Sequence, residues 1–568
     1  DRKSNSISKV SFANFSSTKV FLSLLEDKQK NLYIGVQDGG LYQVKIQPNT
    51  STSQINALPI QVVKEPHGVL TQRSVQCLYA DKDQNIWLGT YGEGIMMLNH
   101  SPQRFLQFQK KITNQNTESW LRYYGMTADH EGNLWLGTDG DGIYKTTPEG
   151  KVIKHYVASK AQGSLTNNAI LSAFKDSKNN LWFGSYAGGL YRYNPTSDSF
   201  INYKHVANDP KSIGANDVRV IFEDTQKNIW IGTNGGGFCR FNPQNQTFTN
   251  YSSKSRNFDS NDVRAITQDH RGNLLIGTYG MGLIQFNPLT QKSTQLLRDI
   301  LPSGVVLSLA FDANKGLWVG TQEIGLIHYK FNTNSYTRFT EKNGLGSNTI
   351  LAIKALPNQQ IWISTNAAIS KIDAKTKKIF NYDRKDGLQN GQFNGGSVLY
   401  EPIKGFLCFG GTEGWNLFYP KNIDVLTYQP NVLITGIQLY GKDIDQSGVP
   451  QREFIPFDNQ NPEALVELQP NQSVFSIQYG AINYSYPDES YFAYQLEGLD
   501  NDWNYAGKQK SATYRYLEPG HYVFKVKVAN KDRVWSDKIA SINVIILPPW
   551  YKTWWAYLIY LGMLATTI

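Results

Sequence analysis

Arginine, aromatic and amide side chains recur at matching places of a repeated segment, and together they suit the recognition of a sugar. Arg219 and Arg264 each follow the valine that opens a predicted strand in successive copies of this segment. Aromatic rings stack on sugar rings, and guanidinium and amide groups bond hydroxyls or carboxylates. The sequence therefore predicts a ligand-binding face, with the candidate residues Trp120, Arg122, Tyr186, Arg219, Asn234, Arg264 and Tyr279.

A recurring aspartate offers a second chemistry, because it stands six residues before an aromatic position in seven of nine copies. One catalytic centre would not need seven copies of its acid. An aspartate at a strand end accepts hydrogen bonds from the amides of the turn that follows. We predict this turn role for the aspartates, and packing between sheets for the tryptophans at positions 87, 135, 182, 230, 318 and 362.

Metal and cofactor chemistry find no support in the pattern of potential ligands. The eight histidines show no HxH or HExxH spacing, and the three cysteines form no CxxC pair. Cys77, Cys239 and Cys408 each lie in an apolar run, so we expect all three to be small buried side chains. We predict no catalytic residue, no metal site and no cofactor.

The elements that must position the candidate residues follow from the repeat itself. A glycine closes the strand Leu/Ile-Trp-apolar-Gly-Thr at positions 35, 89, 137, 184, 232, 277, 320 and 410, with Ser364 in the same place. Periods in the 40s with alternating strands indicate four-stranded propeller blades. In such blades the Gly-rich turn after this strand shares a face with the loop that enters the inner strand. That face would also carry Tyr91, Asp139 and Gln322. Ordinary polar loops at a propeller rim are the alternative for each residue.

Nine copies in 568 residues predict an all-β chain of several domains. Counting back from the Gly-rich last copy gives a seven-bladed ring over 105–422, with 1–104 as the last two blades of an upstream propeller. A single ring of eight or nine blades is the alternative. Residues 431–547 alternate as roughly seven short strands, which predicts an Ig-like β-sandwich.

The last segment, 550–568, has aromatic residues around Lys552 followed by fifteen uncharged residues. We interpret it as the start of a transmembrane helix that is cut off partway. A terminal buried strand or helix is the alternative. Lys and Arg exceed Asp and Glu by 56 to 47, which favours an acidic ligand, but no basic patch suggests a nucleic acid.

These motifs resemble a known family. The repeats look like the two-component regulator propeller repeat, and 491–503, 512–522 and 524–535 resemble the triple-tyrosine (Y_Y_Y) sandwich domain. PPWYKTWWAYLIY at 548–560 is similar to the junction of such proteins with their transmembrane helix. The Asp532-Arg533 pair departs from the usual Asp-Gly turn.

The resemblance implies the periplasmic sensor region of an inner-membrane two-component sensor histidine kinase. A glycan-derived oligosaccharide or other small extracellular ligand would bind the propeller. The sandwich would form a homodimer and pass the signal to the membrane helix. The sequence itself contains no kinase domain, so the visible chain is not expected to be an enzyme. A diguanylate cyclase output, a glycan-binding or assembly protein, and a glycan hydrolase or lyase remain as alternatives.

Overall fold

The computed structural model describes residues 19–28, 30–45, 58–60, 63–64, 68–69, 73–82, 84–98, 104–114, 117–253, 258–423, 428–444 and 465–567. The chain forms two compact units. One unit comprises 103–424, and the other joins 1–102 to 425–568.

Seven four-stranded antiparallel sheets, blades 1 to 7, make up the unit 103–424. Blade 1 consists of the strands Tyr123–Ala128, Leu134–Thr138, Ile143–Thr146 and Val152–Tyr156. Blade 2 consists of Ile170–Lys175, Leu181–Ser185, Leu190–Asn194 and Ser199–Tyr203. Blade 3 consists of Asp217–Glu223, Ile229–Asn234, Phe238–Asn242 and Thr247–Tyr251. Blade 4 consists of Val263–Gln268, Leu274–Thr278, Leu283–Asn287 and Lys292–Leu296. Blade 5 consists of Val306–Phe311, Leu317–Thr321, Leu326–Lys330 and Ser335–Phe339. Blade 6 consists of Ile350–Ala355, Gln360–Thr365, Ile369–Asp373 and Ile379–Tyr382.

Blade 7 is assembled from both ends of this unit. Its first three strands are Phe393–Glu401, Phe406–Gly411 and Gly414–Phe418, and its fourth is Leu106–Phe108. Leu106 pairs with Leu417 and Phe108 with Trp415, whose rings stack with centroids 4.1 Å apart. The inner strand of blade 7 also packs beside that of blade 1. The ring therefore closes with seven blades, and hydrogen bonds between the two ends of the unit hold it shut.

Short elements lie outside the strands of the seven blades. The hairpin Lys111–Asn114 and Thr117–Trp120 precedes blade 1. Single 3-10 turns occur at Glu341–Asn343, Arg384–Asp386 and Pro420–Asn422.

The recurring aspartate organises the turn between the first two strands of a blade. In blade 3, Oδ1 of Asp224 accepts the backbone N–H groups of Gln226 and Asn228 at 2.9 Å each. Its Oδ2 accepts Nδ2 of Asn228 and Nε1 of Trp230, both at 2.8 Å. The predicted turn role is confirmed. The indole bond also explains the six-residue spacing, because it needs the tryptophan opposite the carboxylate across the turn.

Five of the six tryptophans at the recurring position are buried packing residues, as predicted, whereas Trp87 is only half-buried. Trp135, Trp182, Trp230, Trp318 and Trp362 are at most 2% exposed. Cys239 and Cys408 are buried as expected, but the prediction for Cys77 is wrong, since it is exposed. Cys77 lies on the inner strand of the second N-terminal sheet. One side of this inner strand packs against the first N-terminal sheet; among the described residues of its unit, no third sheet packs against the opposite side.

The second unit begins with two blade-like sheets. The first contains Phe21–Glu26, Asn31–Val36, Gly40–Lys45 and Leu58–Ile60, and the second contains Val75–Ala80, Ile86–Thr90 and Gly94–Leu98. A short pair, Val63–Lys64 and Gly68–Val69, lies between them in sequence. The sandwich of the same unit meets the second sheet, where the rings of Trp87 and Tyr484 are 5.0 Å apart and perpendicular.

Two sheets form the sandwich. One contains Lys442–Ile444, Asn431–Leu439, Val474–Ile482 and Ser511–Arg515, and the other Leu465–Leu468, Trp535–Ile546, Gly520–Ala529, Tyr491–Glu497 and Asn504–Gly507. The sequence predicted roughly seven strands; the additional short ones, such as Leu465–Leu468, lie at sheet edges and are too short to show alternation. The inward faces share one core. The predicted fold class, an all-β propeller followed by an Ig-like sandwich, is confirmed.

After a turn at Trp550–Lys552, the chain ends in the helix Trp554–Thr567. Its side chains are apolar or uncharged, and Ala556 is its buried residue. No helix in the described part of the chain has the length and apolar character needed to cross a membrane.

Candidate functional site

A repeated irregularity of the inner strands builds a cavity at one mouth of the ring. In blades 1 to 6, one extra residue interrupts the pairing of the first two strands just after the inner strand begins; blade 7 has a longer interruption. A β-bulge of this kind turns a side chain away from the sheet. Residues at these interruptions line one cavity of about 390 Å³, namely Tyr124, Leu171, Arg219, Arg264, Leu307, Leu351 and Gly395.

Apolar and polar side chains both line the cavity. Leu171, Leu307 and Leu351 are three of the bulge residues. Turn residues add polar groups, and these are Gln322, Glu323, Thr349 and Asn366. A ligand that has both an apolar face and several hydroxyls would therefore find partners for both kinds of group.

Arg219 is held by a carboxylate of its own strand. Its Nη2 donates to Oδ2 of Asp217 at 2.7 Å, and its Nε lies 2.6 Å from Oδ1. The guanidinium carbon is 5.7 Å from the ring centre of Tyr186, a residue of the neighbouring blade 2. Asn234 supports the same carboxylate through its Nδ2 at 2.9 Å. Three predicted site residues thus meet around Asp217.

Arg264 repeats this arrangement in blade 4. Its Nη2 donates to Oδ2 of Asp262 at 2.8 Å, and its guanidinium carbon lies 5.3 Å from the ring centre of Tyr279. As in the Asp217–Arg219 pair, Nε of the arginine and Oδ1 of the aspartate are both buried. Two equivalent arginine–aspartate pairs therefore lie beside the cavity.

Trp120 and Arg122 lie in a neighbouring cavity of about 470 Å³, between the hairpin and blades 1 and 7. Asp139 lines it too, and its Oδ2 is 3.6 Å from Nη1 of Arg122. The hydroxyl of Tyr124, a residue of the central cavity, interacts with charged groups of both cavities. Burial raises the pKa of its hydroxyl, Asp139 raises it further, and Arg122 and Arg219 oppose the change.

The predicted residues therefore occupy one face but do not all line one space. Arg219 and Arg264 line the central cavity, and Trp120 and Arg122 line its neighbour. Tyr186 and Tyr279 are about half exposed beside the arginines they contact.

Sequence reasoning missed most of the wall. The signal was present, because Tyr124, Leu171, Leu307 and Leu351 hold the repeat position of the two arginines. It also missed Asp217 and Asp262, although each stands two residues before its arginine. Apolar residues after a strand opening look like ordinary core, and only the bulge shows otherwise.

Comparison with known proteins agrees with this architecture. Residues 483–547 match the Y_Y_Y domain, and 69–92, 164–187, 212–235, 257–280 and 300–323 match the two component regulator propeller. The resemblance predicted from the sequence is confirmed: the chain carries both domain types.

Two relatives extend this comparison. Histidine kinase P4 of Formosa agariphila is 28% identical over 228 residues, which are 40% of this chain and 16% of the kinase. The match thus spans about a sixth of that protein. The crystal structure of the extracellular domain of BT3049 from B. thetaiotaomicron, assigned as a hybrid two component system, is 27% identical with a TM-score of 0.75. The similarity covers 93% of this chain and 68% of that one.

Proposed function

We propose that this chain is the extracytoplasmic ligand-sensing region of a membrane-bound two-component sensor histidine kinase, and that it recognises a glycan-derived ligand. The similarity to the extracellular domain of BT3049, over 93% of the chain, carries the proposal. The parent protein would supply the kinase, and the region described here would bind the signal on the periplasmic side of the inner membrane.

The cavity at the mouth of the ring is our proposed binding site. The arginines, Glu323 and the amides would bond sugar hydroxyls, while the leucines would contact the C–H face of a sugar ring. Asp217 and Asp262 each balance one guanidinium, and Glu323 adds another carboxylate. Because this leaves no surplus of positive charge, the cavity favours a neutral oligosaccharide over an acidic one.

The sandwich and the last helix would transmit the signal. We propose that two chains meet through the sandwich and that the helix Trp554–Thr567 enters the membrane, where its apolar side chains would contact lipid. A ligand can signal in this way only if it binds one dimer arrangement more tightly than the other.

A binding screen tests the proposed site. The 568-residue chain would be titrated by calorimetry with neutral, uronic and sulfated oligosaccharides. We expect a neutral oligosaccharide to bind. Arg264→Gln should lower its affinity by about tenfold or more, because polar groups buried in the cavity lose the hydrogen bonds of the guanidinium. Arg271→Gln is the matched control: Arg271 is an exposed residue at the other end of blade 4. Equal affinity of both variants would place the ligand elsewhere, and turnover of a glycan would favour a hydrolase or lyase.

The signalling half of the proposal has its own test. Sedimentation of the chain in detergent should show dimers whose population changes with the bound oligosaccharide. Monomers with and without ligand would contradict transmission through the sandwich. A diguanylate cyclase domain encoded after Ile568 would replace the histidine kinase as the output domain of the proposal.

A further inference from the structure

A second, more polar groove lies between blades 2 and 3, at the face of the ring opposite the candidate cavity. The turns 176–180 and 224–228 border it, together with the turn after Phe238–Asn242. Its volume is about 600 Å³. We call it the blade 2–3 groove. It belongs to neither cavity described above.

The third strand of each blade places one side chain opposite the recurring tryptophan position. In three blades this side chain contacts the recurring aspartate. Lys145 Nζ lies 3.0 Å from Asp129, Gln285 Nε2 lies 3.0 Å from Asp269, and His328 Nε2 lies 3.0 Å from Asp312. The repeat thus normally uses this position to complete its own turn.

Blades 2 and 3 depart from this rule. Arg192 and Arg240 take the position, paired with Trp182 and Trp230. Their guanidinium carbons lie 5.7 and 5.9 Å from the indole centres. In the part of the chain that the structure describes, neither guanidinium has a hydrogen bond or an ion pair. Both arginines line the blade 2–3 groove and are only partly buried.

The recurring aspartates of these blades are already occupied. The two carboxylate oxygens of Asp176 accept the backbone N–H groups of Lys178 and Asn180, Nδ2 of Asn180 and Nε1 of Trp182. Asp224 has the equivalent four donors. Glu223, the other carboxylate of the groove, accepts the backbone N–H and hydroxyl of Ser177 at 2.9 and 2.8 Å.

The balance of charge in the groove is positive. Lys178 and Lys227 line it beside the two arginines, against the carboxylates of Asp176 and Glu223 in the wall and of Asp224 in the bordering turn. Four cations and three carboxylates leave a net charge of one positive unit. Arginines that lie within 6 Å of an indole centre and make no hydrogen bond of their own can offer their planar fork to a planar or tetrahedral oxyanion.

We propose that the blade 2–3 groove binds an acidic oligosaccharide, with carboxylate or sulfate groups on Arg192 and Arg240. A groove of about 600 Å³ is larger than one inorganic anion needs, and its wall carries amides that suit sugar hydroxyls, among them Asn180, Asn228 and Gln244. This site goes beyond the proposed sensor cavity and does not depend on it.

Calorimetry on the full chain at constant ionic strength tests this site. The probes are digalacturonate, a sulfated disaccharide, inorganic sulfate, and lactose as the neutral comparison. We expect at least one acidic disaccharide to bind, sulfate to bind more weakly, and lactose not to bind here. Affinity should fall as sodium chloride is raised, because the contacts are partly exposed ion pairs.

Variants locate the binding. Arg192→Gln and Arg240→Gln should each weaken the acidic disaccharide by about tenfold or more, and Arg→Lys at either position by less, because lysine keeps the charge without the planar fork. Lys371→Gln is the matched control, since Lys371 lies 5.8 Å from the indole centre of Trp362 in blade 6. Arg264→Gln, in the sensor cavity, should also leave this affinity unchanged.

Three results would overturn the proposal. They are no binding of either acidic disaccharide to the unaltered chain, full affinity in the Arg192→Gln, Arg240→Gln double variant, and an equal affinity for lactose that the same double variant removes. Melting temperatures close to that of the unaltered chain would show that the weakened variants still fold. If Arg264→Gln removed the affinity for the acidic disaccharide instead, the acidic ligand would be assigned to the sensor cavity.

Discussion

A Cβ atom on Gly232 of blade 3 would lie 2.6 Å from Cγ1 of Val263, the residue that opens the inner strand of blade 4. It would also lie 2.5 Å from Cγ1 of Val220. The repeat glycine is thus required because two neighbouring inner strands leave no room for a side chain. The equivalent glycines at 137, 184, 277, 320 and 410 meet their next blade equally closely.

Gly232→Ala should therefore destabilise the ring by about 1 to 3 kcal/mol, the usual range for overpacking a core. Thermal unfolding followed by circular dichroism would show this as a lower melting temperature. Gly395→Ala is the control, since a Cβ there meets nothing within 4 Å. Val263→Ala should rescue part of the loss in a double variant, and strict additivity of the two changes would contradict the steric explanation.

Asp224→Ala should cost about 2 to 4 kcal/mol, because the buried indole N–H of Trp230 and the part-buried donors of Gln226 and Asn228 lose their acceptor. Urea unfolding monitored by tryptophan fluorescence gives the free energy of unfolding. The exposed Asp259 provides the control variant Asp259→Ala. Equal midpoints for the two variants would remove the structural role of the recurring aspartate.

The turn of blade 5 should make stability depend on acid. Burial by itself raises the pKa of Asp312, but hydrogen bonds from His328, Gly316 and Trp318 outweigh burial and bring it to about 2. A folded pKa below the unfolded value of about 3.9 stabilises the fold above pH 4, and this contribution is lost as pH falls toward 2. A depression of about two pKa units corresponds to about 2 to 3 kcal/mol.

Asp312→Asn removes this titration and isolates its effect. The difference in unfolding free energy between the unaltered chain and the variant should have its full size above about pH 5 and should shrink between about pH 4 and pH 2. Urea unfolding at a series of pH values measures it. A difference that stays constant over this range would show that Asp312 does not titrate with a depressed pKa.

Gly395→Tyr should block the sensor cavity without harming the fold. Gly395 lines the cavity, and a Cβ at this position meets open space. We expect the affinity for the neutral oligosaccharide to fall by about tenfold or more while the melting temperature stays close to that of the unaltered chain. Leu289→Tyr, at a side chain 84% exposed, controls for an added ring. Unchanged affinity in Gly395→Tyr would exclude the cavity as the site.

Much of this architecture could be predicted from the sequence because its signals are local. Strand alternation, the recurring glycine and the Asp-to-Trp spacing each report a contact inside one blade or with the next blade. Matching repeat positions likewise predict the same environment for Arg219 and Arg264.

Only the tertiary structure decided which residues converge. The wall of the sensor cavity takes one residue at a strand interruption from each of the seven blades, and these seven become wall residues only because a bulge turns them inward and the ring closes. The exposure of Cys77 and the free guanidiniums of Arg192 and Arg240 depend in the same way on what packs beside them. A local pattern specifies a strand and its turn, whereas the surroundings of a side chain depend on neighbours that are distant in sequence.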